Sequence, residues 1–286
     1  MRTWGCCDLH THSHYSDGCD SPRRLLELAQ EACLGAIALC DHNSVDGLPE
    51  FMEAAKSFDL EAVPGIEFST DYQGIELHIL GLYIRPEHYN AITSEMNDLR
   101  ADKERANREL VTALQKQGID ISYDAIRDNT PSGYVNRAHI AMELVRKGYA
   151  GSFRDGFDRY LAQEKGFYVP PRRLQVFDAI HWIKAMGAAA VLAHPLLNLD
   201  PDQMQVFLPQ AKDAGLDAME TLYPEYPDSM TRTAASLAKK YGILPSGGSD
   251  YHGDVKPGLA LGTGYGDLAV PLSYLHAIRQ RTKYTL

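Results

Sequence analysis

The sequence contains 286 residues, a length that suits one large core carrying an insertion. Apolar residues make up 44% and charged residues 23%, which is ordinary for a globular protein and excludes disorder across the whole chain. The formal net charge of −10 argues against an extended basic surface that follows a nucleic-acid backbone. A phosphate-bearing partner must therefore be bound by a local group of side chains.

No apolar stretch approaches the roughly 18 residues that a membrane span requires, and the sequence begins without the apolar stretch of a signal peptide. We therefore expect a cytoplasmic protein with no membrane partner. The five cysteines lie within the first 40 residues, are odd in number and include no C-x-x-C pair, so a disulfide framework is not expected. These features leave the oligomeric state open.

The first part of the chain alternates short apolar strands with helical patterns, which is typical of a parallel sheet with helical crossovers. Residues 6–12 form the first predicted strand. Ser21 then begins a helix that has Pro22 in its first turn, and Gly35 is predicted to end it. Further strands are predicted at 36–40, 62–66 and 77–83, with a helix at 48–58.

The pattern changes at about residue 86, where strands almost disappear. A long charged helical pattern covers 87–117, and shorter helices are predicted at 123–128, 138–147 and 152–161. We therefore predict that residues 86–166 form a helical subdomain inserted in a barrel domain made of 1–85 and 167–286. The alternation then resumes, with strands at 189–193, 217–220 and up to Gly248, and helices at 176–186, 202–214 and 228–241. The predicted fold class is α/β.

Two histidines at the end of the first strand are the first candidates for chemistry. The period of two in a strand puts the imidazoles of His10 and His12 on the same side. This is a metal-ligand arrangement, although two solvated histidines have the same spacing. Asp17 precedes Gly18 in a turn that brings the carboxylate back toward the pair. His14 continues the same spacing, so spacing alone does not identify a ligand.

Similar residues end the other predicted strands. They are His42 after the second strand, Glu67 after the third, His78 in the fourth, His194 after the strand at 189–193, and Asp250 and His252 after the last. In such folds the carboxyl ends of the strands meet at one edge, where active sites are built. Buried charged and imidazole groups cost several kcal/mol each unless they are paired or ligated. Six histidines and three carboxylates at one edge therefore require a cation.

Some of these residues have a structural alternative. Asp41 caps a helix or supports a neighbouring histidine rather than binding a metal. His78 lies between apolar neighbours and by itself would be a satisfied core histidine, but the other candidates favour a ligand role. Three further histidines lie in helical patterns and are assigned to the surface or to packing: His88, His181 and His276.

Six segments in chain order resemble the PHP (polymerase and histidinol phosphatase) family of metal-dependent phosphoesterases. They are the segments 7–18, 41–43, 65–67, 76–81, 193–195 and 248–253. The resemblance spans nearly the whole chain, and residues of the right type fill all nine ligand positions of the family. It implies a distorted (β/α)7 barrel, two or three divalent ions, and an enzyme that hydrolyses phosphate esters.

The resemblance also implies how the ligands are shared. One ion would be held by His10, His12, Glu67 and Asp250, a second by Glu67, His78 and His194, and a third by Asp17, His42 and His252. Mixed imidazole and carboxylate ligation suits manganese, iron or zinc better than calcium or magnesium. Asp250 and His194 are the candidate catalytic residues, because Asp250 or a ligand histidine is suited to transfer a proton to or from the reacting groups.

Two further segments, 136–141 and 166–170, resemble a PHP subgroup that includes nucleoside 3′,5′-bisphosphate phosphatases and a 5′-to-3′ exoribonuclease acting on short RNA. Many members have proline where this chain has Ala138, while Arg137 and His139 are retained. The planar guanidinium of Arg137 suits a phosphate away from the metals, and the alternative is a surface salt bridge. Arg137, His139 and Lys165 are the predicted substrate-binding residues.

The predicted function is hydrolysis of a phosphate monoester of a nucleotide, with the 3′-phosphate of nucleoside 3′,5′-bisphosphates as the first choice. The alternatives within the family are a 5′-to-3′ exoribonuclease on short 5′-phosphorylated RNA and a histidinol-phosphate-type phosphatase. Zinc amidohydrolases also begin with His-x-His on a barrel strand, but two-metal members commonly use a bridging lysine where Glu67 stands here. A non-catalytic, metal-stabilised module would be favoured by missing ligands, and none is missing. The expected partner is a phosphorylated nucleotide or short oligonucleotide.

Overall fold

The computed structural model describes residues 5–130, 135–162 and 165–284. The chain forms two compact units, one made of Met1–Thr93 with Leu174–Leu286 and the other of Ser94–Arg173. All nine predicted metal ligands belong to the first unit. None of the helices in the described residues has the length and apolar character needed to span a membrane.

Eight strands form one sheet in the first unit. They are β1 (Cys6–Thr11), β2 (Ala36–Leu39), β3 (Glu61–Tyr72), β4 (Ile75–Leu82), β5 (Ala189–Leu192), β6 (Ala218–Leu222), β7 (Leu244–Gly247) and β8 (Val270–Pro271). Their order across the sheet is β7-β6-β5-β4-β3-β2-β1-β8. Strands β1 to β3 are parallel to one another, as are β5 to β7, whereas β4 is antiparallel to both its neighbours and β8 is antiparallel to β1.

The segment that follows β7 closes this sheet into a barrel. The backbone N–H of Asp250 donates to the carbonyl of His10 at 2.8 Å, and the N–H of His12 donates to the carbonyl of Tyr251 at 2.9 Å. The ring of strands is thereby nearly complete, which confirms the predicted α/β barrel. The first and last candidate segments of the sequence become neighbours through these two hydrogen bonds.

The direction of β4 corrects the expectation of a wholly parallel sheet. Only Gln73 and Gly74 separate β3 from β4, and both have positive φ, 54° and 87°. Two consecutive residues with positive φ form the tight hairpin turn that matches the twist of the flanking strands. The chain therefore returns beside β3 at once, without the crossover helix that a parallel neighbour requires.

Ten α-helices are found in the described residues. They are α1 (Pro22–Glu31), α2 (Leu48–Ala55), α3 (Tyr89–Lys116), α4 (Tyr123–Asp128), α5 (Arg137–Arg146), α6 (Phe153–Gly156), α7 (Val176–Ala185), α8 (Pro201–Asp213), α9 (Asp228–Tyr241) and α10 (Leu272–Arg279). Ser21 caps α1 by accepting a hydrogen bond from the N–H of Arg24 at 3.1 Å. The chain leaves α1 through Cys33, which has a φ of 56°, and not at Gly35 as predicted. Gly35 is already beside the sheet, where its N–H donates to the carbonyl of Cys6.

A buried apolar cluster fixes the strands of the barrel relative to one another. Small side chains such as Ala36, Ala38 and Ala189 occupy the strands, and Leu275 and Ile278 of α10 complete the cluster. All five are fully buried. Close packing of this kind leaves the strands little freedom, so the side chains at their ends have well-defined positions.

The second unit is helical and has a hydrophobic core of its own. Leu110, Leu114, Ile140, Leu144 and Leu161 are fully buried within it. The unit Ser94–Arg173 covers most of the predicted insertion, and α3 begins just before it. The helix predicted at 152–161 is instead the short α6 followed by one turn of π-helix at Phe157–Leu161.

Candidate metal centre

The nine predicted ligands meet at one edge of the barrel. His10 belongs to the end of β1, and the loops after β1, β2, β5 and β7 carry His12, His42, His194 and Asp250. Because β4 runs in the opposite direction, its beginning lies at this same edge, and His78 pairs there with Ser69 of β3. The antiparallel strand therefore contributes its ligand from its first half. Glu67, predicted to follow the third strand, lies instead in the middle of β3, because β3 continues past the end of β2 to pair with β4.

Glu67 of β3 is at the centre of the group, and its side chain is fully buried. Five imidazole nitrogens lie within 3.3 Å of its two carboxylate oxygens. Oε2 lies 3.2 Å from His10 Nε2, 3.2 Å from His12 Nε2 and 3.0 Å from His42 Nδ1, and Oε1 lies 2.8 Å from His78 Nδ1 and 3.3 Å from His194 Nε2. A carboxylate whose two oxygens face different imidazoles is suited to bridge two cations.

The other two carboxylates lie on either side of Glu67. Asp250 Oδ1 lies 3.1 Å from His12 Nε2 and 3.5 Å from His10 Nε2. Asp17 Oδ1 lies 3.2 Å from His252 Nε2, and its Oδ2 lies 3.7 Å from His42 Nε2. The Asp17 side chain is 56% exposed, so this end of the group is open to solvent.

Three sets of ligand atoms each lie within 4.8 Å of one another, close enough to hold one ion. The sets are His10, His12, Glu67 and Asp250; His42, Glu67 and His78; and His12, Asp17, His42 and His252. The first set is the one that the resemblance implies for one ion. The other two sets differ from the resemblance in the placing of histidines. His42 lies close to Glu67 as well as to Asp17. His194 contacts Glu67 but does not belong to the compact set that contains His78.

Several buried polar atoms of this group lack hydrogen-bond partners, which tests whether cations fit here. Among the described residues, the buried atoms without a partner include His10 Nε2, both ring nitrogens of His12, His42 Nδ1, His78 Nδ1 and Glu67 Oε2. Such atoms are rare in folded proteins because each costs about 1–3 kcal/mol. Imidazole nitrogens and carboxylate oxygens aimed at shared points are the donors that manganese, iron and zinc accept. The residues therefore fit a cluster of divalent cations.

The close approach of carboxylates and imidazoles also shifts the pKa values of these residues. Burial by itself raises the pKa of Glu67, but the surrounding imidazoles, His42 first, lower it well below the usual value. Burial lowers the pKa of His78, yet the carboxylate of Glu67 outweighs it and raises the pKa to about 10. The His10 pKa is likewise raised by Glu67 and Asp250 against the effect of burial. Each carboxylate thus stabilises positive charge in its neighbours, as it would for a bound cation.

Two of the predicted ligands have a strained backbone. His194 has a φ of 28° and Asp250 a φ of 53°, a region that residues other than glycine seldom adopt. The hydrogen bond from Asp250 N–H to the carbonyl of His10 holds one of them, and His194 N–H donates to Glu220 Oε2 at 2.6 Å. Strain of this kind costs about 1–3 kcal/mol and is typical of functional sites.

Four residues that contact this group were not predicted. Glu220 and Asp8 are fully buried carboxylates, and Tyr223 and Lys256 lie on the outer side of Asp250. The Tyr223 hydroxyl and the Lys256 ammonium donate to Asp250 Oδ2 at 2.9 and 2.6 Å. These bonds fix the carboxylate so that its other oxygen, Oδ1, faces the imidazoles. The only signal in the sequence was an ionisable residue within an apolar strand, at Asp8 and Glu220.

Asp41 is a supporting residue, but its side chain supports the turn after β1 rather than a helix start or a histidine. Its Oδ1 accepts hydrogen bonds from the N–H of Ser13 and the hydroxyl of Ser16, and its Oδ2 accepts from the Ser13 hydroxyl, all within 2.8 Å. These bonds fix the turn that carries Asp17. His14, next to Ser13, is exposed and stacks on Tyr15.

The predicted substrate-binding residues belong to the second unit. The guanidinium of Arg137 lies 4.4 Å from the ring centre of Tyr168 and 5.6 Å from that of Phe157. His139 takes part in a capping box at the start of α5, where its Nδ1 accepts from the N–H of Asn136 at 3.1 Å. The Lys165 side chain is exposed.

The barrel, the strand-end position of the site and its nine imidazole and carboxylate side chains together define a metal-dependent hydrolase. Comparison with known proteins gives the family. The sequence profile of the PHP domain family matches residues 8–168, which is more than half of the chain, and the chain belongs to this family.

Relatives of known activity match most of the chain. A 5′-3′ exoribonuclease of Haemophilus influenzae is 34% identical over 246 residues, covering 86% of this chain and 89% of the relative. A 3′,5′-nucleoside bisphosphate phosphatase of Chromobacterium violaceum is 28% identical over 257 residues, covering 89% of this chain and 90% of the relative. A solved structure of a proposed metal-dependent phosphoesterase from Bifidobacterium adolescentis superimposes with a TM-score of 0.71 at 26% identity, over 97% of this chain and 96% of the other.

Family membership and the site agree on the class of reaction. The protein is a metal-dependent hydrolase of phosphate esters. The amidohydrolase and non-catalytic alternatives are set aside, because the two relatives with a named activity act on phosphate esters and all nine predicted ligands contact the site.

Proposed function

We propose that this protein hydrolyses the 3′-phosphate of nucleoside 3′,5′-bisphosphates with the help of two or three divalent ions, manganese, iron or zinc. The observation that supports the proposal is the convergence of nine nitrogen and oxygen ligands on Glu67 and its neighbours. When bound, the ions supply an acidified water and neutralise the oxygens of the phosphoryl group. The ligand assignment that we propose is the one implied by the family resemblance, with His42 and His12 also close enough to serve a second ion.

The side chains around the ions perform the remaining tasks. Glu67 holds the imidazoles of both neighbouring groups at fixed separations through its two oxygens. Tyr223 and Lys256 hold Asp250 from behind, so its Oδ1 faces the reacting centre without rotating. We propose Asp250 and His194 as the residues that orient the attacking water and move protons at the site.

We propose Arg137 as the residue that binds a second phosphate, the one on the 5′ carbon of the nucleotide. Tyr168 and Phe157 hold its guanidinium by their ring faces. Among the described residues no carboxylate is paired with Arg137, so its charge is available to an anion. His139 and Lys165 are proposed as neighbouring contacts for the same substrate.

The 5′-to-3′ exoribonuclease is the second candidate, and the similarity to the Haemophilus influenzae relative favours it. If mononucleotides leave with their 5′-phosphate, both activities break the bond between a 3′ oxygen and phosphorus. The substrates then differ only in whether the 3′ phosphorus carries a further nucleotide. A 5′-phosphate anchor at Arg137 would serve both.

The substrate is tested by adding each metal to chelator-treated protein and measuring release from four compounds: adenosine 3′,5′-bisphosphate, 5′-AMP, histidinol phosphate and a short 5′-phosphorylated RNA. We expect phosphate from the bisphosphate with 5′-AMP as the stable product. Mononucleotides from the RNA at a higher kcat/KM would select the exoribonuclease. Hydrolysis of histidinol phosphate alone would refute both.

The role of Arg137 is tested by replacing it. We expect Arg137→Ala to raise KM for the bisphosphate by about tenfold or more and to change KM for a simple phosphomonoester little, because only the bisphosphate has a second phosphate to lose. Arg127→Ala, at an exposed arginine paired with acidic neighbours, is the control. An equal rise in KM for both substrates would contradict the proposal that Arg137 binds the 5′-phosphate.

The ligand assignment is tested by Asp250→Asn and His194→Asn, with the exposed His276→Asn as the control. We expect each ligand variant to lose bound metal and about two to four orders of magnitude in kcat/KM, since an ion contributes several kcal/mol to the transition state. Full metal content and full activity in both variants would contradict the assignment.

We propose a cytoplasmic location for the protein. All five cysteines are free, including the buried Cys7 and Cys40, which is typical of a reducing compartment. Fluorescence microscopy of a tagged chain tests this location, and secretion of the protein would contradict it.

A further inference from the structure

Glu220, in the middle of β6, contacts two of the proposed metal ligands and belongs to none of the three ligand sets described above. Its side chain is fully buried. Oε1 lies 3.0 Å from His10 Nδ1, and Oε2 accepts the backbone N–H of His194 at 2.6 Å. No lysine or arginine is paired with Glu220 in the part of the chain that the structure describes. A buried carboxylate without a cationic side chain is costly unless its hydrogen bonds and nearby charges offset the cost.

The first contact, between Glu220 Oε1 and His10 Nδ1, concerns the tautomer of His10. The other ring nitrogen, His10 Nε2, points at Glu67 Oε2 and Asp250 Oδ1 and has no hydrogen bond. A cation held there needs the lone pair of Nε2, so the ring proton must be on Nδ1. Nδ1–H then donates to Glu220 Oε1. Glu220 therefore selects the tautomer in which His10 can bind a metal.

The second contact holds His194 in its strained backbone conformation. His194 has a φ of 28°, and its N–H is one of the groups that fix this segment. Its imidazole lies 5.8 Å from that of His10, nearly parallel at 15°, and reaches Glu67 Oε1 through Nε2. The Glu220 carboxylate thus contacts both His10 and His194, which approach different oxygens of Glu67.

We propose that Glu220 is a positioning residue of the metal centre, which sets the tautomer of His10 and the backbone of His194 so that both imidazoles present a lone pair to the ions. The two N–H donors face different oxygens of Glu220, so in this geometry only a carboxylate accepts from both. A glutamine has one oxygen, so its NH₂ group would face either the His10 Nδ1–H or the His194 N–H. This inference rests on the proposed metal centre.

The matched control for Glu220 is Asp217, just before the same strand. Its Oδ2 also accepts a backbone N–H, from Ala190 of β5 at 3.0 Å, and it contacts a second donor, Lys184 Nζ, at 2.6 Å. Asp217 contacts none of the proposed ligands. Asp217→Asn therefore removes the charge of a largely buried carboxylate, and so weakens an ion pair and a backbone hydrogen bond in the barrel, at a position that contacts no proposed ligand.

The test is Zn²⁺ affinity, measured by competition with a chromophoric chelator for metal-free wild type, Glu220→Gln and Asp217→Asn. We expect Glu220→Gln to bind Zn²⁺ about 10- to 100-fold more weakly and Asp217→Asn to remain within about twofold of wild type. Unchanged affinity in Glu220→Gln, or an equal loss in both variants, would overturn the role of Glu220. A wild type that binds no Zn²⁺ would instead overturn the metal centre itself.

A second measurement uses the wild type and does not depend on the folding of a variant. The ¹⁵N chemical shifts of labelled histidines in the Zn²⁺-loaded protein report which ring nitrogen carries the proton, with His10→Asn identifying the His10 signals. We expect a protonated Nδ1 on His10 and slow exchange of that proton with solvent. A proton on Nε2 would refute the inference.

Discussion

Asp8 accepts four hydrogen bonds beside the site. Its Oδ1 accepts the N–H of Ser249 at 2.8 Å and that of His10 at 3.3 Å, and its Oδ2 accepts the Ser249 hydroxyl at 2.5 Å and the N–H of Gly262 at 2.8 Å. Asp8 is fully buried and precedes a ligand by two positions. It therefore ties β1 to the segment that carries Asp250.

We expect Asp8→Asn to lower the free energy of unfolding by about 2–4 kcal/mol, because one amide oxygen replaces two carboxylate oxygens and leaves buried N–H groups without acceptors. Urea denaturation measures the change. Asp20→Asn is the control, since Asp20 is only partly buried and accepts the Tyr251 hydroxyl at 2.9 Å. A loss no larger than that of Asp20→Asn would refute the role of Asp8.

The sequence singled out the proposed ligands but not the carboxylates that hold them in place. His10 and Asp250 occur in motifs with a recognisable spacing, whereas Asp8 and Glu220 are single ionisable residues in apolar strands. Such a residue indicates that a partner exists without indicating which one. The partners of Glu220, His10 and the backbone of His194, are brought to it only by the tertiary fold.

At the scale of elements, the close approach of β1 and the segment after β7 depends on Gly248. A Cβ at this position would lie 2.5 Å from the backbone nitrogen of His10, far inside normal contact. The obstacle is backbone and therefore cannot move aside like a flexible side chain. The barrel closes here because residue 248 has no side chain.

We expect Gly248→Ala to destabilise the protein by about 3 kcal/mol and to lower metal affinity, since relieving the clash separates His10 from Asp250. Denaturation and metal titration of the same samples test this. Gly5→Ala is the control, because no atom lies within 4 Å of a Cβ at Gly5. If Gly248→Ala binds metal like wild type, the closure does not position the ligands.

The positions of most elements could be predicted from the sequence, but the direction of β4 could not. An apolar run such as Leu77–Leu80 shows that a strand is buried and does not show which way it runs. The direction follows from the two-residue turn at Gln73 and Gly74, whose Gln-Gly sequence is a weaker hairpin signal than Asn-Gly. The two-residue β8 is too short to produce any pattern.

At the scale of the whole molecule, the two units have separate hydrophobic cores, and among the described residues all the proposed metal ligands belong to the first unit. Among the described residues, the barrel holds several buried carboxylate and imidazole atoms that have no hydrogen-bond partner. Ions that bind the folded state alone stabilise it by mass action, by about 2.7 kcal/mol per site at a hundredfold excess over Kd. The stability of the barrel is therefore linked to metal concentration.

Trp182 allows this linkage to be measured in the barrel alone. It belongs to α7 and its ring lies 5.4 Å from that of Phe68 of β3. In a Trp4→Phe background its fluorescence reports only on the first unit. We expect a chelator to lower the thermal midpoint by on the order of 5–10 °C and added Mn²⁺ or Zn²⁺ to restore it.

The double variant His10→Asn/His12→Asn separates specific binding from general effects of metal or chelator. It removes two ligands from the best-defined set, so its midpoint should no longer respond to metal. If the wild-type midpoint is the same with and without chelator, the buried carboxylates and imidazoles do not share cations. If the double variant responds like wild type, the cations bind at another place on the protein.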